Sequence, residues 1–62
     1  MGTFEIYRLD EPEKTVAKYT GFSSPEAAMR AEKARRPEAI LSLALLTLID
    51  EAGAYGVRAS AH

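Results

Sequence analysis

The run Ile40-Leu41-Ser42-Leu43-Ala44-Leu45-Leu46-Thr47-Leu48-Ile49 holds most of the large aliphatic side chains of a 62-residue chain. A chain this short buries a modest share of its surface, so its stability margin is thin, and whatever covers this run decides whether it folds. Two arrangements fit. As a strand, Leu41-Ser42-Leu43-Ala44-Leu45 alternates well, and after one extra residue the pattern resumes at Leu46-Thr47-Leu48, which a β-bulge accommodates. As a helix starting at Pro37, the run lines up Leu41, Leu45, Leu48 and Ala52 in one stripe, with Gly53 as a stop. Leu and Ala favour helix intrinsically. Against it, Arg36 is a poor helix cap and almost no room is left for a turn between two antiparallel helices. A further strand would also complete a hairpin that is marginal alone. The strand reading is therefore preferred, with helix as the alternative.

That hairpin is read from residues 3–22. Thr3 to Leu9 is rich in β-branched and aromatic residues and alternates as a strand does. Asp10-Glu11-Pro12-Glu13-Lys14 is a polar cluster with a central proline and reads as a turn, and Thr15 to Phe22 is strand-like again. Pairing Leu9 with Thr15 would put Phe4, Ile6, Arg8, Val16, Lys18 and Thr20 on one face and Glu5, Tyr7, Leu9, Thr15, Ala17 and Tyr19 on the other. Neither set is cleanly apolar, and a slip of one residue exchanges them.

Ser23-Ser24-Pro25-Glu26 is a helix start. Either Ser23 caps with Glu26 returning the bond, or Ser24 caps with Pro25 in the first helical position. Beyond it, Ala27, Ala28, Ala31 and Ala34 share one side of the helix, and the pairs Glu26–Arg30 and Glu32–Arg36 have the favourable acid-first spacing. Pro37 ends the helix by forcing Arg36 out of helical geometry. Residues 50–54 read as a turn, and Tyr55-Gly56-Val57-Arg58 as a short edge strand or an ordered tail. The expected fold is a single α+β domain over residues 1–62: an N-terminal antiparallel hairpin, one capped helix, then one or two further strands (ββαβ or ββαββ). A hairpin plus two helices is the alternative.

The chemistry available is narrow. Without cysteine, neither a disulfide framework nor a thiolate metal site can form, and the one histidine, His62, is expected to fray at the chain end. Ser23 and Ser24 therefore lack a base to activate them, and capping accounts for both. Asp10, Glu11 and Glu13 cluster in one expected turn, with Asp50 and Glu51 in another; on exposed turns such carboxylates stay ionised and solvated. Their spacing lacks the calcium-loop pattern, and the glycines form no phosphate-cradling motif. No enzyme activity, cofactor or metal is expected. No signal-peptide pattern opens the chain, and the apolar run falls short of the roughly 20 residues a membrane helix needs. A soluble, cytoplasmic protein is expected.

Two surfaces remain. Arg30, Lys33, Arg35 and Arg36 form the densest basic patch, suited to phosphates or an acidic partner, yet the formal net charge is −1. The outline of residues 3–36, a hairpin ending in Gly21-Phe22 followed by a capped helix, resembles the arm-type DNA-binding domain of tyrosine integrases. That resemblance implies a DNA contact but carries no residue role. The second surface is apolar. One helix cannot cover both faces of a sheet as well as the 40–49 run, and exposed apolar patches on small proteins mark contacts. The reading reached is a small non-enzymatic protein-interaction module, of the inhibitor or adaptor kind, binding another protein or a second copy of itself. Tyr7, Tyr19, Arg30, Lys33, Arg35 and Arg36 are its candidate contact residues. The alternative is a nucleic-acid contact through the basic helix end.

Overall fold

A computed structural model describes residues 1–60; His62 lies outside them. The chain forms β1 (Gly2–Arg8), β2 (Glu11–Phe22), α1 (Pro25–Arg35), β3 (Ile40–Ser42), β4 (Thr47–Asp50) and β5 (Gly53–Ala59). The strands make one five-stranded antiparallel sheet in the order β2-β1-β5-β4-β3, and α1 packs on one of its faces. The α+β class, the N-terminal hairpin and the single helix are as expected. Three strands follow the helix, because the 40–49 run folds back on itself instead of running straight through a bulge. Ile40 pairs with Ile49 and Leu41 with Leu48. The turn between them has no glycine, proline or asparagine. The Ser42 hydroxyl accepts the Leu45 N–H at 3.3 Å, and Leu46 takes a left-handed conformation (φ 52°) with its side chain packed against the core.

Two further readings are corrected. The β1–β2 connection is tighter than expected, with Leu9 and Asp10 alone outside the strands. Pairing runs Phe4–Tyr19, Ile6–Ala17, Tyr7–Thr15 and Arg8–Glu11, with irregularities that leave Val16 and residues 12–14 without partners on β1. The bulge at Val16 moves Ala17 and Tyr19 onto the face of Phe4 and Ile6, and Lys18 onto that of Glu5 and Tyr7. Segment 55–58, expected at an edge or in a tail, belongs to the central strand. It pairs with β1 on one side and β4 on the other. Gly56 weakens the local strand signal, but its missing side chain is used: a Cβ there would lie 3.0 Å from the Tyr7 ring and 3.1 Å from Leu9.

The helix begins at the second of the two caps considered. The Ser24 hydroxyl accepts the Ala27 N–H at 3.1 Å, and Pro25 opens the first turn. It ends before Pro37, with Arg36 out of helical geometry (φ −132°, ψ 70°). The face it buries is Ala28, Met29 and Glu32, while Ala34 of the expected alanine stripe is exposed. Ile6, Met29, Ala39, Leu48 and Tyr55 form the buried core, with Ala17, Tyr19, Leu41, Leu46 and Val57 packed around it.

Candidate interaction surface

The covered face of the sheet contains a charged side chain, and that shapes everything near it. Glu32 is 2% exposed, projecting from α1 onto the sheet. Burying a carboxylate is costly unless each oxygen is bonded, and both are. The Tyr19 hydroxyl donates to one at 2.5 Å, and Arg36 Nε donates to the other at 2.6 Å. Arg36 continues to Asp50 at 3.1 Å and lies 4.3 Å from the centre of the Tyr55 ring. Arg8, clamped in two bonds by Asp10, reaches the Tyr55 hydroxyl at 3.4 Å. The titrations follow this geometry. Burial, reinforced by the Glu32 carboxylate, raises the Tyr19 phenol above its ordinary value. Partial burial pushes Asp50 upward, but the bonds from Arg36, Ala52 and Gly53 outweigh it and the net shift is downward. The bond to Glu32, with help from Asp50, holds Arg36 firmly protonated.

Among the described residues, no helix lies over the opposite face. Strand alternation and register arrange its side chains in rows across the strands. One row is Leu9, Ala54, Ile49 and Ile40: Ile40 pairs with Ile49, Ile49 with Ala54, and the Leu9 N–H donates to the Ala54 carbonyl at 2.9 Å. Ile40 is 72% exposed and Ile49 51%. The next row holds Thr15, Tyr7, Gly56, Thr47 and Ser42, with Tyr7 and Leu9 closing over Gly56. The row beyond is charged: Lys18, Glu5 and Arg58. Arg58 lies 4.5 Å from the centre of the Tyr7 ring and donates to Glu5 at 3.0 Å and to the Pro12 carbonyl at 2.7 Å. The Arg58 bond is also what holds the Glu5 carboxyl below its usual range, against partial burial. The open face is thus apolar at the end where the β1–β2 and β4–β5 turns meet, and ionic at the other.

The six residues expected to make contacts do not converge. Tyr7 is on the open face under Arg58, whereas Tyr19 is on the covered face, bonded to Glu32. Arg36 is held inside the Glu32–Asp50 network. Lys33 donates to the Pro37 carbonyl at 2.7 Å, closing the helix end. Arg30 and Arg35 are exposed on α1, Arg35 beside the Tyr19 hydroxyl, which raises its pKa. The sequence marked Ile40 and Ile49 only as part of the apolar 40–49 run, and did not single out Leu9, Ala54 or Arg58. The pairing of Ile40 with Ile49 becomes readable only once a turn is placed at residues 43–46.

Among the described residues, no group of three or more His, Cys, Asp or Glu side chains is placed to hold a metal ion, and no helix is long and apolar enough to cross a membrane. No family model, curated protein or solved structure matches this chain.

Proposed function

We propose that this chain is a small non-enzymatic module that binds another protein through the open face of its sheet, in the manner of an inhibitor or adaptor. The observation that carries this reading is the pair Ile40 and Ile49, adjacent on neighbouring strands and largely exposed on a face that none of the described elements covers. Single exposed aliphatics are common, but a row of them rimmed by polar groups is the usual form of a contact surface. The sheet edges are poorer candidates. The outer strand β2 carries Pro12, Lys14, Lys18 and its irregular pairing, all of which discourage strand addition, and β3 at the other edge is three residues long. Nucleic acid is the weaker alternative, because Arg36 is committed to Glu32 and Asp50 and leaves a thin basic surface. A cytoplasmic setting is part of the proposal and rests on the cysteine-free composition.

The test is affinity capture from the cell of origin with three forms of the protein. Wild type and Arg30→Glu/Arg35→Glu should retain the same partner, and Ile40→Asp/Ile49→Lys should lose it while melting like wild type. Retention by the isoleucine variant with loss by the arginine variant would overturn this reading and favour an acidic or nucleic-acid partner.

A further inference from the structure

The apolar row lies at the end of the molecule where carboxylates collect. Asp10, Glu11 and Glu13 follow Leu9 at one end of the row, and Glu38 and Glu51 lie beyond Ile40 and Ile49 at the other, with Asp50 turned to the covered side. An open groove lined by Arg36, Pro37, Glu38, Ala39, Asp50, Glu51 and Ala52 lies at the same end of the sheet. The cations at this end are already engaged: Arg8 with Asp10, Arg36 with Glu32 and Asp50, and Lys14 with Glu11 at 3.8 Å. Glu13, Glu38 and Glu51 are exposed and, among the described residues, have no cation within ion-pair distance. A net charge of −1 therefore hides a polarised molecule, because the exposed Arg30 and Arg35 belong to the helix, across the sheet from the row.

We infer that the row Leu9–Ala54–Ile49–Ile40 and its acidic rim dock a basic segment of another protein, one that presents aliphatic side chains flanked by lysine or arginine. The inference rests on the reading of the open face given above and adds the chemistry of the partner. Two observations choose this occupant over a second copy of the chain. A twofold contact would set the acidic rim against itself, and like charges facing each other across an interface are unfavourable. The row is also small. It runs from the β1–β2 turn across three strands, about 14 Å at the usual strand spacing, which is the length of about four extended residues. A single row of that length suits a short segment better than the roughly 800 Å² per partner that holds a stable dimer. A short segment gains its affinity here from an aliphatic anchor on Ile40 and Ile49, with cations facing Glu38 and Glu51.

The experiment is an amide-resolved NMR titration of the intact chain with a short peptide alternating leucine with lysine. A second titration uses the same peptide with glutamate in place of lysine. The basic peptide should shift the amides of Leu9, Ile40, Ile49 and Ala54, and Glu38→Lys/Glu51→Lys should weaken it about tenfold, the sum of several modest rim attractions turned to repulsions. If both peptides bind this row equally, the partner chemistry is overturned while the contact face stands. If neither peptide shifts the row, or the acidic one binds at Arg30 and Arg35 instead, the choice of face falls with it. Light scattering on the same samples covers the remaining case: concentration-dependent dimerisation abolished by Ile49→Lys would make the occupant a second copy and overturn the inference.

Discussion

The two faces of the sheet carry the same constellation, an arginine lying on a tyrosine ring and held by carboxylate. On the covered face Arg36 lies on Tyr55 between Glu32 and Asp50; on the open face Arg58 lies on Tyr7 and is held by Glu5. The distances are alike, 4.3 and 4.5 Å from the ring centres. The surroundings differ. Tyr55 is 3% exposed and Glu32 2%, with Arg36 and Asp50 at the margin, whereas Tyr7, Glu5 and Arg58 all keep contact with solvent. In water the attraction between such groups is largely screened, and their removal is met by rehydration. Under the helix, removing one member strands the others without a partner. Identical contacts therefore serve different ends: the covered set fixes how the helix sits on the sheet, and the open set keeps a charged surface ordered at little energetic consequence.

The comparison breaks most readily at the tyrosines. Tyr55→Ala opens a cavity in the core and should cost about 4 kcal/mol, most of the stability of a domain this small, whereas Tyr7→Ala should leave a folded protein; denaturant melts of the two decide it. Next comes Glu32→Ala, expected to cost about 2–3 kcal/mol because Tyr19 loses its acceptor and Arg36 one of its two anions. A loss as small as that of Glu5→Ala would show that burial is not what separates the faces. The pH profile tests the same point. The carboxyls of Glu5, Asp10 and Asp50 titrate lower in the folded chain than in the unfolded one, so their contribution is present above the ordinary carboxylate range and is lost as pH falls through their folded values. The Tyr19 phenol is raised, so its contribution is present below about pH 10 and is lost as pH climbs through its folded value. Thermal melts from acid to alkali should show a plateau between the two limbs, and Tyr19→Phe should remove the Tyr19 part of the alkaline one. The smallest effect is expected from Arg58→Ala, a shift in the melting midpoint of about 2 °C or less.

Local features of the sequence carried much of this fold. The Ser24-Pro25 start and the Pro37 stop state the helix outright, and the alternation in residues 3–9 and 15–22 states the hairpin. What stayed hidden depends on contacts distant in sequence. The turn at 43–46 is built from Leu43-Ala44-Leu45-Leu46, residues with no turn preference, and its geometry comes from the Ser42 hydroxyl and a left-handed Leu46 anchored in the core. The bulge at Val16 has no marker in the sequence, yet it decides that Tyr19 meets Glu32 and leaves Lys18 on the open face. Glu32 itself reads as a surface residue spaced for Arg36. Only the packed structure turns that pair inward, and so the basic patch looked larger on paper than it is.

The central place of β5 bears on how the chain comes to be folded during synthesis. The two hairpins, β1–β2 and β3–β4, are each closed by neighbouring residues and can form as soon as they are made. Neither touches the other in the sheet; residues 53–59 join them, pairing with β1 and β4 at once. Until that segment leaves the ribosome, the nascent chain holds two ribbons with unpaired inner edges, each marginal alone and open to pairing with the wrong strand. Closure of the sheet should then be abrupt, with β5 closing the long loop back to β1 and locking both ribbons in one step.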